Sequence, residues 1–209
     1  TRDLSLSGGT WHYNSTNAYS GNLTFSTGTV MGSGNLQNTE IILEAGKTIS
    51  PGEGVGTLTT GSETWHAGGS YLWEINNLSG IAGQTEGWDF LNVQGILEIT
   101  SGVHEFTFQL DSIGILSGWD PLSNHQWTVA SASGGILDFN SDFFLIDSNA
   151  FEDQNFLAGG KFHLEMSAHD LLLVYSAVPE PHILSLLGIF LGMLWRRKKT
   201  FSCLFNPLA

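Results

Sequence analysis

The fold of this chain is decided by Ala45–Leu58 (AGKTISPGEGVGTL), Gly69–Ile75 (GSYLWEI) and Trp88–Leu97 (WDFLNVQGIL). In the last two segments every second residue is apolar, as from Tyr71 to Ile75, which places these side chains on one face of a strand. Glycine with Ser, Thr or Asn separates the segments and tolerates the positive φ of tight corners. The stretch therefore predicts short strands joined by glycine turns.

The same alternation extends in both directions from this stretch, and no apolar stripe at helical spacing occurs before residue 182. The chain is therefore predicted to be all-β, and the spacing of its turns fits either a β-sandwich or a parallel β-solenoid. The alternating pairs and triplets are Leu23/Phe25, Ile41/Leu43, Tyr71/Trp73/Ile75, Leu91/Val93, Leu97/Ile99, Phe106/Phe108/Leu110, Trp127/Val129, Phe162/Leu164/Met166 and Leu171/Leu173/Tyr175.

Composition limits what the chain can do. The 209 residues suffice for one domain or a short stack of repeats. Residues 1–180 carry only Arg2, Lys47 and Lys161 against all 20 carboxylates, a formal charge of −17, which repels nucleic acid and suits an exported protein. The single cysteine, Cys203, lies in the tail, so the exported part is expected to have no disulfide. Export requires a leader, so we expect that a signal peptide before Thr1 has been removed or that this is a fragment.

A three-part segment near the C-terminus predicts a membrane anchor. Pro179 and Pro181 precede an apolar run, Ile183–Trp195, and the basic stop Arg196–Lys199 follows it. As a helix the run covers about 20 Å, less than the roughly 30 Å hydrocarbon layer, but Trp195 and long cationic side chains suit the interface and extend the span. The positive-inside rule places the basic stop and the tail 200–209 in the cytoplasm and the N-terminal part outside it.

This segment resembles the PEP-CTERM sorting signal of Gram-negative bacteria, and the resemblance extends upstream through Leu171–Val178. The resemblance implies that an exosortase-type membrane protease recognises Pro-Glu-Pro, removes the anchor and sends the protein to the cell surface or the exopolysaccharide matrix. The residues involved are the sorting motif Val178, Pro179, Glu180 and Pro181, the anchor residues Ile183, Leu184, Leu186, Leu187, Ile189, Phe190, Leu191, Met193, Leu194 and Trp195, and the basic residues Arg196, Arg197, Lys198 and Lys199.

Residues 43–110 resemble the β-strand repeat associated with autotransporter passengers, in which a glycine turn with Pro-Gly precedes a "GgtyelEi" and a "DlLnVtGtl" segment. This resemblance implies a right-handed parallel β-solenoid. It further implies a turn between coils at Ser50-Pro51-Gly52 and a corner at Asp89, whose carboxylate binds backbone N–H groups. The predicted organisation is 1–110 solenoid, 111–177 β-rich continuation or cap, 178–199 sorting signal and 200–209 cytoplasmic tail.

The sequence contains no recognisable catalytic, metal or cofactor motif. Asp138, Asp142 and Asp147 lie close together, but the loop after Asp147 has Phe151 where an EF-hand needs an oxygen ligand, so we interpret them as solvated turn residues. The seven histidines have no metal-binding spacing. We therefore expect no enzyme activity and no bound cofactor.

Tryptophans are the remaining candidates for ligand contact, because flat aromatic faces bind sugars well. Trp73 and Trp127 fall on apolar strand faces and are predicted to be core. Trp11, Trp65, Trp88 and Trp119 adjoin turn signals and are the candidates for glycan contact. The function expected from the sequence is a non-enzymatic surface or matrix protein, with exosortase, the lipid bilayer and exopolysaccharide as partners. The alternatives are a polysaccharide-active enzyme on a β-helix and a carbohydrate-binding β-sandwich.

Overall fold

A computed structural model describes residues 3–100, 102 and 105–178. This part of the chain is mostly β and contains a 3-10 turn at Ser141–Phe143 and one short helix, α1 (Asn149–Glu152). The strands are β1 (Leu4–His12), β2 (Leu23–Gly32), β3 (Asn35–Leu36), β4 (Ile41–Leu43), β5 (Lys47–Pro51), β6 (Thr57–Thr60), β7 (Glu63–Trp65), β8 (Ser70–Ile75), β9 (Phe90–Val93), β10 (Leu97–Ile99), β11 (Phe106–Ser112), β12 (His125–Ala132), β13 (Ile136–Leu137), β14 (Phe144–Asp147), β15 (Lys161–Ser167) and β16 (Asp170–Ser176).

The strands form three sheets, which the chain visits in turn. The first sheet has the order β1-β2-β5-β8-β11-β14, the second β15-β16-β12-β9-β6-β3 and the third β13-β10-β7-β4. Strands β2, β3 and β4 therefore make one circuit, and the next circuits repeat the same three sheets in the same sequence. Between residues 21 and 110 every ladder between these strands is parallel, as the resemblance to the autotransporter-associated repeat implies, and a sandwich of antiparallel hairpins is excluded for this range.

Equivalent residues of successive circuits stack into rows inside the fold. In the first sheet Val30, Ile49, Tyr71 and Phe108 are successive register partners, and all four are fully buried. Parallel strands lie about 4.8 Å apart, so each inward side chain contacts the one above and the one below. The apolar residues that alternate along the sequence are thus the inward-facing side chains, and those of successive circuits bury one another in rows.

The glycine corner after β5 begins later than predicted. Ser50 and Pro51 are the last residues of β5 and pair with Met31 and Gly32, so the placement of the turn at Ser50-Pro51-Gly52 is wrong for its first two residues. The left-handed backbone starts at Gly52, where φ is 84° and an added Cβ would lie 1.9 Å from the carbonyl oxygen of Gly54. Only glycine fits this corner.

In the second sheet the strand direction changes beyond β12, whereas β13 and β14 still pair in parallel with β10 and β11. Strand β16 pairs antiparallel with β12, and β15 pairs antiparallel with β16, so a hairpin continues the second sheet beyond the last parallel strand. The described residues up to Ala177 form one compact unit. None of the helices in this described part is long and apolar enough to cross a membrane, and the predicted anchor, Ile183–Trp195, lies outside the described residues.

Candidate functional site

The predicted sorting motif begins where the described structure ends. Val178 is exposed, and the backbone N–H of Ala177 before it donates to Asn124 Oδ1 at 2.9 Å. Residues 179–181 of the motif, the anchor and the basic stop at 196–199 lie outside the described residues. The described structure therefore gives the point at which the chain leaves the compact unit, beside the loop that precedes β12.

Among the tryptophans, Trp73 and Trp127 are core residues, as predicted. The prediction that Trp65 is a surface residue for glycan contact is wrong, because its side chain is fully buried. Trp65 is the register partner of Leu43 and Ile99, both inward-facing, so strand alternation carries it into the core although a glycine turn lies nearby. Its ring stacks on Phe106, with centroids 4.6 Å and planes 3° apart, and its Nε1 donates to Glu63 Oε2 at 2.7 Å.

Trp11 is half-buried at the end of β1. Its ring centroid lies 5.3 Å from that of Tyr13 and 5.4 Å from that of Tyr19, and the three rings pack against the core. Partly exposed aromatic faces grouped in this way suit stacking against sugar rings. The role of Trp11 in glycan contact stays a prediction.

Trp88 and Trp119 are also half-buried, and the indole N–H of each is bound within the protein. Trp88 Nε1 donates to the carbonyl of Thr128, and Trp119 Nε1 donates to the carbonyl of Phe156. The Trp119 ring stacks on His125 at 4.8 Å. The rings of Trp88 and Trp119 are therefore only partly open to a ligand. The roles of these two residues in glycan contact stay predictions.

The aspartates singled out in the sequence lie outside the strands, except Asp147, which ends β14. Asp138 and Asp142 are exposed, and Asp138 has a left-handed φ of 56°. Asp147 accepts hydrogen bonds from the backbone N–H and the side-chain amide of Asn149. Within residues 3–100, 102 and 105–178, no group of three or more His, Cys, Asp or Glu side chains is placed to hold a metal ion.

A carboxyl pair that sequence reasoning missed lies on the outer face of the first sheet. Glu74 in β8 and Asp111 in β11 are register partners on neighbouring parallel strands. Burial, and then the charge of Asp111, raises the pKa of Glu74. Each of the two residues follows an apolar residue that faces inward, so alternation along the strand predicts that the side chains of Glu74 and Asp111 face outward. Only the register of the two strands shows that they are neighbours.

A shallow groove runs along the same face beside this pair. Its volume is ≈ 360 Å³, and Asp111, Asp147, Leu72 and Gln109 are among its lining residues. Carboxyl, amide and apolar groups side by side form a surface that an extended polar polymer can contact. Two carboxyl groups on adjacent strands are also the minimum set for acid and base catalysis of glycoside cleavage.

Asp89 behaves as the second resemblance implied. It lies directly before β9, is fully buried, and accepts hydrogen bonds from the backbone N–H of Gly56 at Oδ1 and of Glu74 at Oδ2. The carbonyl oxygen of Asp89 accepts from Trp73 Nε1. Burial raises the pKa of Asp89 to about 9, against the two backbone donors, which favour the ionised form. Its role is structural, because its carboxyl group joins two circuits.

Comparison with known proteins finds one family model, the PEP-CTERM protein-sorting motif, which matches residues 177–198. No curated protein and no solved structure matches the chain. The matched residues include the Pro-Glu-Pro sequence, most of the basic stop and the apolar run between them. This signal marks an exported protein that an exosortase, a membrane protease, sorts to the cell surface.

Proposed function

We propose that this chain is a non-enzymatic structural protein of the cell surface or the exopolysaccharide matrix. The observation that carries the proposal is the sorting motif at 177–198, which gives the protein its route out of the cell. The exported part has a formal charge of −17, as suits a hydrated extracellular protein. Many of its large aromatic side chains are buried and pack against one another, as suits a rigid scaffold.

The route has two stages. The run Ile183–Trp195 first holds the protein in the inner membrane, with the basic stop in the cytoplasm and the folded part outside it. An exosortase then cuts near Pro179-Glu180-Pro181 and releases the folded part to the surface. The exposed position of Val178, two residues after the end of β16, supports access of a protease to this junction.

The folded part is proposed to be a right-handed parallel β-solenoid of the autotransporter-passenger kind. Support comes from the repeated order of the three sheets and from the rows of buried side chains. In such a fold each circuit contacts only its neighbours, and the outer faces form long flat surfaces. Exopolysaccharide is the proposed ligand for these surfaces, with Trp11 as the first contact to test, because the indole N–H groups of Trp88 and Trp119 are bound within the protein.

A second candidate function, a polysaccharide-active enzyme, is favoured by one observation. Glu74 and Asp111 are adjacent carboxyl groups beside a groove, and the raised pKa of Glu74 is a property of catalytic acids. The nearby Asp147 accepts hydrogen bonds from Asn149 and is engaged in its own turn. The structural role is preferred because the sorting motif supports export to the cell surface directly, whereas the enzyme rests on this one pair of carboxyl groups.

One experiment tests both functions on the protein released from cells that produce exosortase. We expect surface localisation to disappear when the exosortase gene is deleted, and the mature protein to bind exopolysaccharide without shortening it. The matched variants are Glu74→Gln, Asp111→Asn and, as the control, Glu86→Gln at an exposed position. Depolymerisation that is lost in the first two variants and kept in the third would establish the enzyme.

A further inference from the structure

The two most exposed large hydrophobic side chains of the described residues lie in two loops that pack against each other. Ile115 is 80% exposed and Phe156 is 76% exposed. Ile115 belongs to the loop 113–124 between β11 and β12, and Phe156 belongs to the loop 153–160 between α1 and β15. Single hydrophobic side chains on a surface are ordinary, but a group of them beside a functional segment indicates an interaction site.

Hydrogen bonds hold the two loops together. The buried side chain of Asn155 accepts at Oδ1 from the backbone N–H of Leu116, at 2.9 Å. Trp119 Nε1 donates to the carbonyl oxygen of Phe156 at 2.8 Å. Ile115 directly precedes Leu116 and Phe156 directly follows Asn155, so the two exposed residues flank one hydrogen bond. The exposed positions of Ile115 and Phe156 are thus fixed by the packing of the loops.

The chain leaves the compact unit beside the same two loops. The hydroxyl group of Tyr175, in the last strand, lies within hydrogen-bond distance of the carbonyl oxygens of Pro121, at 3.0 Å, and Leu157. Pro121 belongs to the first loop and Leu157 to the second. Two residues after Tyr175, the backbone N–H of Ala177 donates to Asn124 Oδ1 in the first loop at 2.9 Å. Both loops therefore contact the strand that leads directly to the sorting motif.

The segment that the exosortase recognises begins at this point. The family model matches from Ala177, and Pro179 and Pro181 follow it by two and four residues. A chain spans at most about 3.5 Å per residue, which limits Pro179 to roughly 7 Å and Pro181 to roughly 14 Å from Ala177. A standard protein–protein interface covers about 800 Å² on each partner, the area of a disc of roughly 16 Å radius. A protease bound to the motif therefore also reaches the surface around Ala177.

A groove beside Phe156 adds apolar surface on the same side of the fold. Its volume is ≈ 440 Å³, and Ile146, Phe156, Leu157 and Lys161 are among its lining residues. Lys161 is the register partner of Ser176, the last residue of the last strand. The groove therefore lies next to the point at which the chain continues towards the sorting motif.

Exposed carboxylates accompany these apolar groups. Asp120 is exposed in the first loop, Asp153 is exposed in the second, and the exposed Glu152 directly precedes Asp153. Negative charge of this kind repels both an anionic lipid surface and a second copy of this acidic chain. The occupant that fits is a protein with an apolar face and cationic groups around it. The exosortase is the protein that the sorting motif brings to this place.

We propose that the loops 113–124 and 153–160 form a docking surface for the exosortase, with Ile115 and Phe156 as its main apolar contacts. This surface rests on the proposed function, in which the exosortase cuts at the sorting motif, and it adds a contact made by the folded part. Docking holds the protease beside the motif, so the rate of the cut depends on the two loops as well as on Pro179-Glu180-Pro181.

Site-specific photo-crosslinking of the full chain in cells that produce a tagged exosortase tests the contact. A photoreactive phenylalanine analogue takes the place of Ile115, of Phe156 or, as the control, of Ile42, which is 42% exposed on β4 of the third sheet. We expect exosortase adducts from positions 115 and 156 and none from position 42. Equal adducts from all three positions, no exosortase adduct, or adducts only with a second copy of the chain or with lipid would overturn the proposal.

The rate of processing gives the functional readout. Ile115→Ser combined with Phe156→Ser should slow conversion to the mature form by about fivefold or more, since truncation of central interface contacts commonly weakens binding by that factor. Ile42→Ser should be converted at the wild-type rate. An unchanged rate in the double variant would show that the exosortase gains nothing from this surface. Urea unfolding of the double variant should match that of the wild type, because both substituted side chains are exposed.

The two readouts separate the docking surface from the proposed cut. Adducts from positions 115 and 156 with a chain that is never cut would keep the docking surface and refute the removal of the anchor. Equal cutting of the wild type and the double variant, without adducts from either position, would refute the docking surface and leave the removal of the anchor intact.

Discussion

Asp89 Oδ1 accepts a hydrogen bond of 2.8 Å from the backbone N–H of Gly56, which lies in the turn before β6 of the preceding circuit. Oδ2 of the same carboxyl group accepts from the backbone N–H of Glu74 in β8. The side chain of Asp89 therefore supplies the hydrogen-bond acceptor for two backbone N–H groups that have none within the sheets. Because backbone N–H groups left unpaired inside a protein are costly, the local stability of both circuits depends on Asp89.

The first prediction follows from this contact. Asp89→Asn turns one acceptor into an NH2 group that faces a backbone N–H, so one buried donor loses its partner. We expect a loss of roughly 1–3 kcal/mol in the free energy of unfolding. Asp89→Ala removes both acceptors and leaves a cavity, with a loss of roughly 3–5 kcal/mol. Urea unfolding followed by circular dichroism measures both.

Asp153→Asn is the control, because Asp153 is exposed and the same substitution there should change the free energy of unfolding by less than about 0.5 kcal/mol. Equal effects of Asn at positions 89 and 153 would show that the two hydrogen bonds of Asp89 contribute little to stability.

The second prediction concerns pH. Burial raises the pKa of Glu63 from 4.5 to about 7, against the opposing effects of the Trp65 N–H and the Thr60 hydroxyl. Between these values the folded protein holds a proton that the unfolded chain has lost, so the free energy of unfolding falls as pH rises. Asp89, with its pKa raised to about 9, extends the fall to higher pH. Stability should therefore decrease between the ordinary carboxyl pKa values, 3.8 for Asp89 and 4.5 for Glu63, and a pH of about 9.

Glu63→Gln isolates the contribution of Glu63. This variant cannot titrate, so its stability should fall less steeply between pH 4.5 and 7, by up to about 1.4 kcal/mol per pH unit. Glu86→Gln at an exposed position should leave the slope unchanged. Parallel pH profiles for wild type and Glu63→Gln would mean that Glu63 ionises in the folded protein as it does in the unfolded chain.

The third prediction separates packing from ligand contact among the tryptophans. Trp65→Ala removes a fully buried ring stacked on Phe106 and should cost roughly 3–5 kcal/mol. Trp11→Ala, at a half-buried position, should cost about 1 kcal/mol and should weaken binding to exopolysaccharide in a sedimentation assay. Exopolysaccharide binding that survives Trp11→Ala unchanged would leave Trp11 with a packing role alone.

The sequence predicted the strands well, because strands depend on local alternation, whereas their parallel pairing was implied only by the resemblance to the autotransporter-associated repeat. The inward row of Tyr71 and Phe108 can be deduced from period-2 spacing alone. Asp89 was identifiable through the autotransporter-associated repeat, although its two donors lie in segments 33 and 15 residues away. Those partners are fixed only when the circuits stack.

The positions that sequence reasoning assigned wrongly or missed depend on which neighbour lies above and below. Trp65 was assigned to the surface because a turn is close in sequence, whereas its register with Leu43 places it inside. Glu63 shares that inward alternation, two residues before Trp65, and a carboxyl group there contradicts ordinary burial preferences. The pair of Glu74 and Asp111 required the register of β8 with β11, and 37 residues separate the two in the chain.

The last prediction concerns the sorting motif. If Pro179-Glu180-Pro181 is the recognition element for the exosortase, Glu180→Ala and Pro181→Ala should leave membrane insertion intact, since neither shortens the apolar run Ile183–Trp195. Both should instead retain the full-length chain in the inner membrane. Cell fractionation with an antibody against the folded part measures the distribution between the inner membrane and the surface.

Charge gives an independent readout of the same cut. The full chain has a formal charge of −13, whereas residues 1–180 alone carry −17, because the four cations at 196–199 leave with the anchor. The surface form should therefore have a lower isoelectric point than the membrane form, which isoelectric focusing measures.

Replacing Arg196–Lys199 with neutral residues should act at an earlier step, since it removes the signal for orientation before any cut is made. Mass spectrometry of the surface form decides between the two fates of the anchor: a C-terminus near Pro181 means that the anchor is removed, and an intact Ala209 means that it is permanent.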